Sequence, residues 1–323
     1  MLEKILNKIL GYINRYFDQF FTFHSRPKRA QKILITSPTY IDQDFEKIAI
    51  VIQGPLILES DFTLETIKLY RKNFPENILI LSTWDDADPK TIGKIKDLGI
   101  EIILANKPDN AGISNVNYQI VSSSNGVNRA RELNCSYILK SRSDQRIYSN
   151  QAVRFCYSAI KQFPLLGKSD QLERIIAFDL NTFKYRPYSI SDMINFGNTN
   201  DMTKYWCIEL DNRSKDSLVS TTSLMDWSKE KYAEVYFVSS FLRNIKREIK
   251  WTLSDSWEVM KDHFCILNSS DIDLFWFKYS QREFKQKSYE SLQNQEFYFS
   301  DWLILQDGLP KNIPEFMANK IIG

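Results

Sequence analysis

The sequence predicts an α/β protein: a mainly parallel sheet flanked by helices, with an N-terminal amphipathic helix ahead of it. Three observations carry this. Short apolar runs at 48–52, 77–83, 100–104 and 136–140 have the length of buried strands. Segments of helical periodicity separate them, which calls for crossover connections and parallel neighbours. The runs end in turn-forming or charged residues, such as Gln53-Gly54-Pro55 and Trp84-Asp85-Asp86.

Between residues 1 and 29, Leu2, Ile5, Leu6, Ile9, Ile13, Phe17 and Phe20 recur at helical spacing, and Lys4, Asn7, Lys8, Asn14, Arg15 and Asp18 fill the other face. Up to Lys32 this segment carries seven Lys or Arg against two acids. Such a helix can lie in the headgroup layer of an anionic membrane, or pack on its own domain or on another copy of the chain. The first strand, 48–52, enters a tight loop at Gly54-Pro55. Residues 60–73 follow as a helix, with Ser60 or Asp61 as its cap. The strand at 77–83 leads to a helix at 88–98 closed by Gly99, and then to the strand at 100–104. A longer helix at 115–133 precedes the strand at 136–140. Further on, 175–179 reads as a strand, 181–192 as extended or hairpin structure, and 226–246 as a helix. No linker or repeat divides the chain, so residues 1–45 are assigned to a helical appendage and 46–323 to one domain.

With 42 basic and 40 acidic side chains, the net charge of +2 argues against a general nucleic-acid binder, which needs surplus cations. The cysteines at 135, 156, 207 and 265 form no Cys-x-x-Cys pair, and His24 and His263 are the only histidines. A structural zinc site and a secreted disulfide framework are therefore not expected. Glu3 and Lys4 interrupt any signal-peptide core, and no apolar run is long enough to span a bilayer. The expected compartment is the cytoplasm, peripheral to the inner membrane if the first helix binds lipid.

Ligands of open parallel sheets bind at the carboxyl ends of the strands, and this architecture commonly holds nucleotides. The most informative end is Lys140-Ser141-Arg142-Ser143-Asp144, where two cations and a carboxylate leave one face of a strand at alternate positions. A diphosphate with magnesium would satisfy all three. An internal ion-pair network would do so equally well.

The segments Ile50-Val51-Ile52-Gln53-Gly54-Pro55-Leu56, Glu65-Thr66, Tyr70 and Leu79-Ile80-Leu81-Ser82-Thr83-Trp84 occur in an order that resembles the WavE family of lipopolysaccharide-synthesis proteins. So do Asn115-Val116-Asn117-Tyr118-Gln119-Ile120, Gly126 and Tyr137-Ile138-Leu139-Lys140-Ser141-Arg142-Ser143-Asp144-Gln145-Arg146-Ile147, with a weaker match through Ser191–Gly197 and Ala233-Glu234-Val235-Tyr236. The resemblance implies surface-glycan biosynthesis and a GT-A-like fold, with a nucleotide-sugar half at 46–150 and an acceptor half at 151–323. It implies a nucleotide-sugar donor and a lipopolysaccharide or capsular glycan, free or lipid-linked, as acceptor.

GT-A enzymes usually carry Asp-x-Asp after the fourth strand, but Arg142-Ser143-Asp144 stands here. Either Asp144 alone holds a Mg or Mn ion, or Lys140 and Arg142 meet the leaving-group charge without one. Glycosyl transfer with inversion also needs a base for the acceptor hydroxyl. Glu234, near a helix start, and Asp192, before Asn195-Phe196-Gly197 read as a turn, are the candidates. Glu234 can equally be a first-turn acid that complements the helix dipole. Gln53, Gly54, Pro55, Thr83 and Trp84 are expected to line the base and ribose pocket, and Asn115, Asn117 and Gln119 to meet phosphate or sugar at a helix start. Trp84 can equally cap the core, and Asn115 can cap the helix. Two rival functions are a sugar-phosphate nucleotidyltransferase, disfavoured because the first loop is neither glycine-rich nor basic, and a membrane-anchored scaffold without catalysis.

Overall fold

The computed structural model describes residues 2–17, 25–33, 46–213, 223–280, 295–310 and 321. Helix α1 (Leu2–Phe17) comes first; its expected extension to Phe20 lies outside the described residues. Then β1 (Ile48–Gln53), α2 (Phe62–Asn73), β2 (Ile78–Trp84), α3 (Pro89–Lys96), β3 (Glu101–Ala105), α4 (Val116–Glu132) and β4 (Tyr137–Arg142) alternate as the periodicity predicts. Next are β5 (Gln145–Ile147), α5 (Ala152–Gln162), β6 (Ile175–Phe178), β7 (Asn195–Asn198), α6 (Thr199–Trp206), α7 (Leu224–Lys229) and α8 (Ala233–Asn244). The chain continues through α9 (Leu253–His263), β8 (Phe264–Leu267), β9 (Leu274–Trp276), α10 (Phe277–Ser280) and α11 (Phe299–Asp307).

Seven strands form one sheet in the order β3-β2-β1-β4-β7-β6-β8. All its neighbours pair in parallel except β7, which runs antiparallel to both β4 and β6. The fold is mixed α/β, a mostly parallel sheet flanked by helices, as the sequence predicts. Every residue of β1 is buried, as a parallel strand covered on both faces requires. Helices α4 and α6 pack together over one face, and α5 covers the other, where Tyr157 meets Tyr137 edge-on at 5.2 Å. Gly126 allows α4 to sit directly on β1: a Cβ there would fall 2.3 Å from Val51 Cγ1. Past the end of β4, β5 and β9 form a separate antiparallel ribbon.

The α3 start follows sequence rules, with Asp88 Oδ2 accepting from the Thr91 amide at 2.8 Å and Pro89 in the first turn. Three local readings change. Asp61 precedes α2 in a left-handed conformation (φ 53°) and makes no cap bond; its carboxylate instead accepts from Arg29 at 2.9 Å. The span 226–246 is two helices, because Lys231 (φ 51°) and Ala233 (φ 31°) break it and Arg213 takes the freed carbonyls of Glu230 and Lys231. Asn195-Phe196-Gly197 is strand rather than turn, with Asn195 opposite Lys140 and Gly197 opposite Ile138. Among the described residues, the one strand-like pairing between 181 and 192 is an isolated bridge from Phe183 to Glu296.

Candidate functional site

The carboxyl ends of β2, β1 and β4 lie side by side, and their register aligns Ser82, Gln53 and Arg142. Alternation along the strands puts Trp84, Gln53, Lys140 and Arg142 on the α4 and α6 face. Trp84 meets Tyr118 of α4 edge-on at 5.8 Å, and Gln53 Oε1 accepts from Ser122 of α4 at 2.6 Å. Thr83 is fully buried with an unbonded Oγ1, and the same alternation turns it to the opposite face. It does not join this row.

Ser143 stitches the loops together. Its amide donates to the Gln53 carbonyl at 2.9 Å and its hydroxyl to the Pro55 carbonyl at 2.6 Å. Between them, Gly54 has φ 113° and leaves no room for a side chain, since a Cβ would sit 2.9 Å from Ser143 Oγ.

The alternating charges separate into two settings. Arg142 grips Asp144 with both arms, Nε to Oδ1 at 2.8 Å and Nη2 to Oδ2 at 3.0 Å, and Trp276 Nε1 reaches Oδ2 at 3.0 Å. Against the burial that opposes it, this fork holds the Asp144 carboxyl below its ordinary range. Asp144 is the only acid in its motif and both its oxygens are bonded; among the described residues no group of three or more metal-ligating side chains forms. In this ion pair neither Asp144 oxygen is free for a cation. A diphosphate can reach Arg142 by replacing Asp144.

Lys140 turns inward instead. Completely buried, it donates to the Asp192 carbonyl at 2.6 Å and the Met193 carbonyl at 3.3 Å, with Nζ 4.0 Å from the Trp206 ring centre. Burial brings its ammonium down to about 7, while the charge of Asp192 works the other way. The β7 reversal gathers further groups here. Asp192 Oδ2, Asn195 Oδ1, Gln145 Oε1, Tyr205 OH and Trp206 Nε1 are all buried and have no hydrogen-bond partner among the described residues. Orphaned polar atoms in such a number are costly unless water or ligand reaches them.

Glu234 opens α8, which packs on α6 and on the 3-10 turn Ile113–Asn115 that precedes α4. Burial, and next the charge of Asp192, push its carboxyl up to about 8, and Arg186 pulls the other way. Both proposed bases therefore belong to one electrostatic unit with Lys140. Such a carboxyl, with its proton exchangeable near neutrality, suits general base work.

The α4 entrance corrects two readings. Asn117 is committed elsewhere: Nδ2 donates to the carbonyls of Asn110 (3.0 Å) and Asp211 (2.9 Å), and Oδ1 accepts from the Asp211 amide (2.7 Å). It clasps two loops and has no bond left for a phosphate. Asn115 is exposed, left-handed (φ 62°) and makes no cap bond. Gln119, half-buried with an unbonded Oε1, stays available. The four cysteines are free thiols. His263 is buried against Gln171 at 2.7 Å, and burial lowers it to about 4.

Residues 48–306 match the WavE lipopolysaccharide synthesis family. No curated protein matches the sequence. Among solved structures, core-mannan synthase A from Aspergillus fumigatus in its Mn/GDP form has a TM-score of 0.37 at 8% identity, over 84% of this chain and 87% of that one. A cytidylyltransferase from Leptospira borgpetersenii serovar Hardjo-bovis gives 0.33 at 14% identity, over 81% and 95%. HddC from Yersinia pseudotuberculosis gives 0.32 at 11% identity, over 54% and 87%.

Proposed function

The chain belongs to the WavE lipopolysaccharide synthesis family, and from that premise we propose that it is a glycosyltransferase moving a sugar from a nucleoside-diphosphate donor to a lipopolysaccharide-type or capsular glycan. One observation carries this reading: Lys140, buried on β4, donates to the Asp192 carbonyl at 2.6 Å, and the charge of Asp192 acts on both Lys140 and Glu234. In this reading the nucleotide lies along Trp84, Gln53 and Gln119. Its diphosphate displaces Asp144 from Arg142, so that fixed guanidinium charge, and not a cation, stabilises the departing group. Glu234 takes the proton of an acceptor hydroxyl as that oxygen attacks the anomeric carbon and the bond to the diphosphate breaks. Asp192 holds Glu234 near neutrality. Lys140 pins the Asp192 main chain and offsets its charge.

The test is release of nucleoside diphosphate from a panel of nucleotide sugars, with and without chelator. Release from one member, unaffected by chelation and lost in Glu234→Gln, is expected. Silence across the panel removes the proposal.

Helix α1 supports a place of work. Ile5, Leu6, Ile9, Tyr12 and Tyr16 stand exposed on it, flanked by Lys4, Lys8 and Arg15. No described helix is long and apolar enough to cross a membrane. We propose that α1 lies flat on the anionic cytoplasmic face of the inner membrane, where a lipid-linked acceptor is presented. Deleting residues 1–29 should release the protein from vesicles containing phosphatidylglycerol; unchanged co-sedimentation refutes this role.

A further inference from the structure

Outside the groups assigned above, an aromatic column rises beside Glu234. The guanidinium of Arg186 sits 4.1 Å from the Phe183 ring centre and 5.7 Å from that of Trp227. Trp227 in turn stacks on Tyr232, with centroids 5.1 Å apart and planes within 9°. Tyr232 is the residue that caps α8, two positions before Glu234.

This column is built, not incidental. Trp227 lies on α7, whose start is fixed by Ser223 Oγ accepting from the Asp226 amide at 3.0 Å. The link from α7 to α8 is held in left-handed turns at Lys231 and Ala233, conformations that non-glycine residues adopt at a cost. Arg213 holds that link: it bonds the Glu230 carbonyl, the Lys231 carbonyl at 3.1 Å, and Asp211 through two arms at 2.8 and 3.0 Å. Asp211 is clasped by Asn117. One face of Tyr232 is spent on Trp227, no other ring stacks on it and its hydroxyl makes no hydrogen bond among the described residues, and the side chain is only half-buried. Arg186 and Glu234 act on each other's charge, which places the base of the column at the same unit as the acids.

Resting on the assignment of Glu234 as base, we propose that the Trp227–Tyr232 stack is the acceptor subsite: a glycan ring lies with its C–H face on Tyr232 and directs its nucleophilic hydroxyl to Glu234. Aromatic rings suit this task because one flat apolar surface covers the face of a sugar while the ring edge and hydroxyl stay available to its polar rim. A platform held rigid before binding loses little entropy when the acceptor docks. The acceptor class is therefore a pyranose-containing oligosaccharide, recognised by shape and stacking.

The probe is the core oligosaccharide released from lipopolysaccharide by mild acid, titrated by tryptophan fluorescence against the full chain. Tyr232→Ala should weaken its binding more than tenfold, Tyr232→Phe less than threefold, and both should bind nucleoside diphosphate within twofold of wild type. An unchanged melting temperature shows that Tyr232→Ala folds. Equal oligosaccharide affinity in wild type and Tyr232→Ala overturns the subsite, as does a wild type that does not bind the oligosaccharide. Neither result touches the release of nucleotide from the donor, whose own failure would remove the Glu234 assignment separately.

Discussion

Replacing Glu234 by Gln keeps the size and polarity of the side chain and removes one titration. In the folded chain its carboxyl titrates at about 8 against an ordinary 4.5, because of burial first and the Asp192 charge second. A carboxyl raised in this way holds its proton in the native state while the unfolded chain releases it. Stability is therefore full below pH 4.5, falls as pH rises, and levels off above about 8. At about 1.36 kcal/mol per tenfold change in proton activity, the whole displacement is worth roughly 5 kcal/mol. Electrostatic coupling of buried charges makes the expected span about 2–5 kcal/mol. An unfolding entropy of about 0.7 kcal/mol per kelvin for a chain of this length converts it to about 3–7 °C. The assay is thermal unfolding of both proteins from pH 5 to 8.5. The melting temperature of Glu234→Gln minus that of wild type should grow by this amount across the window, and turnover in wild type should rise along a limb that ends near pH 8. A difference that is flat with pH refutes the claim that this carboxyl is held protonated by its surroundings.

Lys140 gives the opposite sign. With its ammonium lowered from 10.5 to about 7 by burial, stability should rise between pH 7 and 10.5, and Lys140→Met should lose that slope and transfer activity together; a slope kept in the variant shown by the same melts contradicts this. Gly126→Ala drives a methyl into Val51 and should cost about 1–3 kcal/mol in urea unfolding, whereas an unchanged midpoint would mean that α4 does not sit on β1 as described. Asn117→Ala strips partners from the buried Asp211 main chain and should cost a further about 1–3 kcal/mol; amide exchange at Asp211 as slow as in wild type would show that the clasp is absent.

Strands β1, β2 and β4 were legible because each is a short apolar run between helical segments, the appearance a buried parallel strand has in sequence, and the edge strand β3 shows the same run with Leu104 exposed. The helix after the second strand was legible too, and its Asp88 cap is equally local, acting within three residues of itself. What lay hidden depends on distant partners. Asn117 has the look of a helix-start ligand until Asp211, 94 residues on, takes both ends of its amide. The motif around Asp144 shows its charge pattern but not Trp276, 132 residues away, which donates to its carboxylate. Asn195 joins the orphaned polar group only because β7 runs backwards beside β4, and nothing in a four-residue strand announces its direction. Tyr205 and Trp206 look like ordinary helix-core aromatics, and their unbonded OH and N–H are features of the assembled site alone. The break between α7 and α8 escaped notice because it uses left-handed Lys231 and Ala233, neither of which is a turn-forming residue by type.

The central claim is that the rim at the ends of β1 and β4 receives a diphosphate through Arg142. Isothermal titration of wild type and Arg142→Met against a panel of nucleoside diphosphates, in the presence of chelator, tests it most directly. We expect one nucleotide to bind wild type with one-to-one stoichiometry, and the variant to bind it at least tenfold more weakly. If none binds wild type, or if the variant binds as tightly, the ion pair of Arg142 with Asp144 is a structural brace and the transferase assignment is wrong.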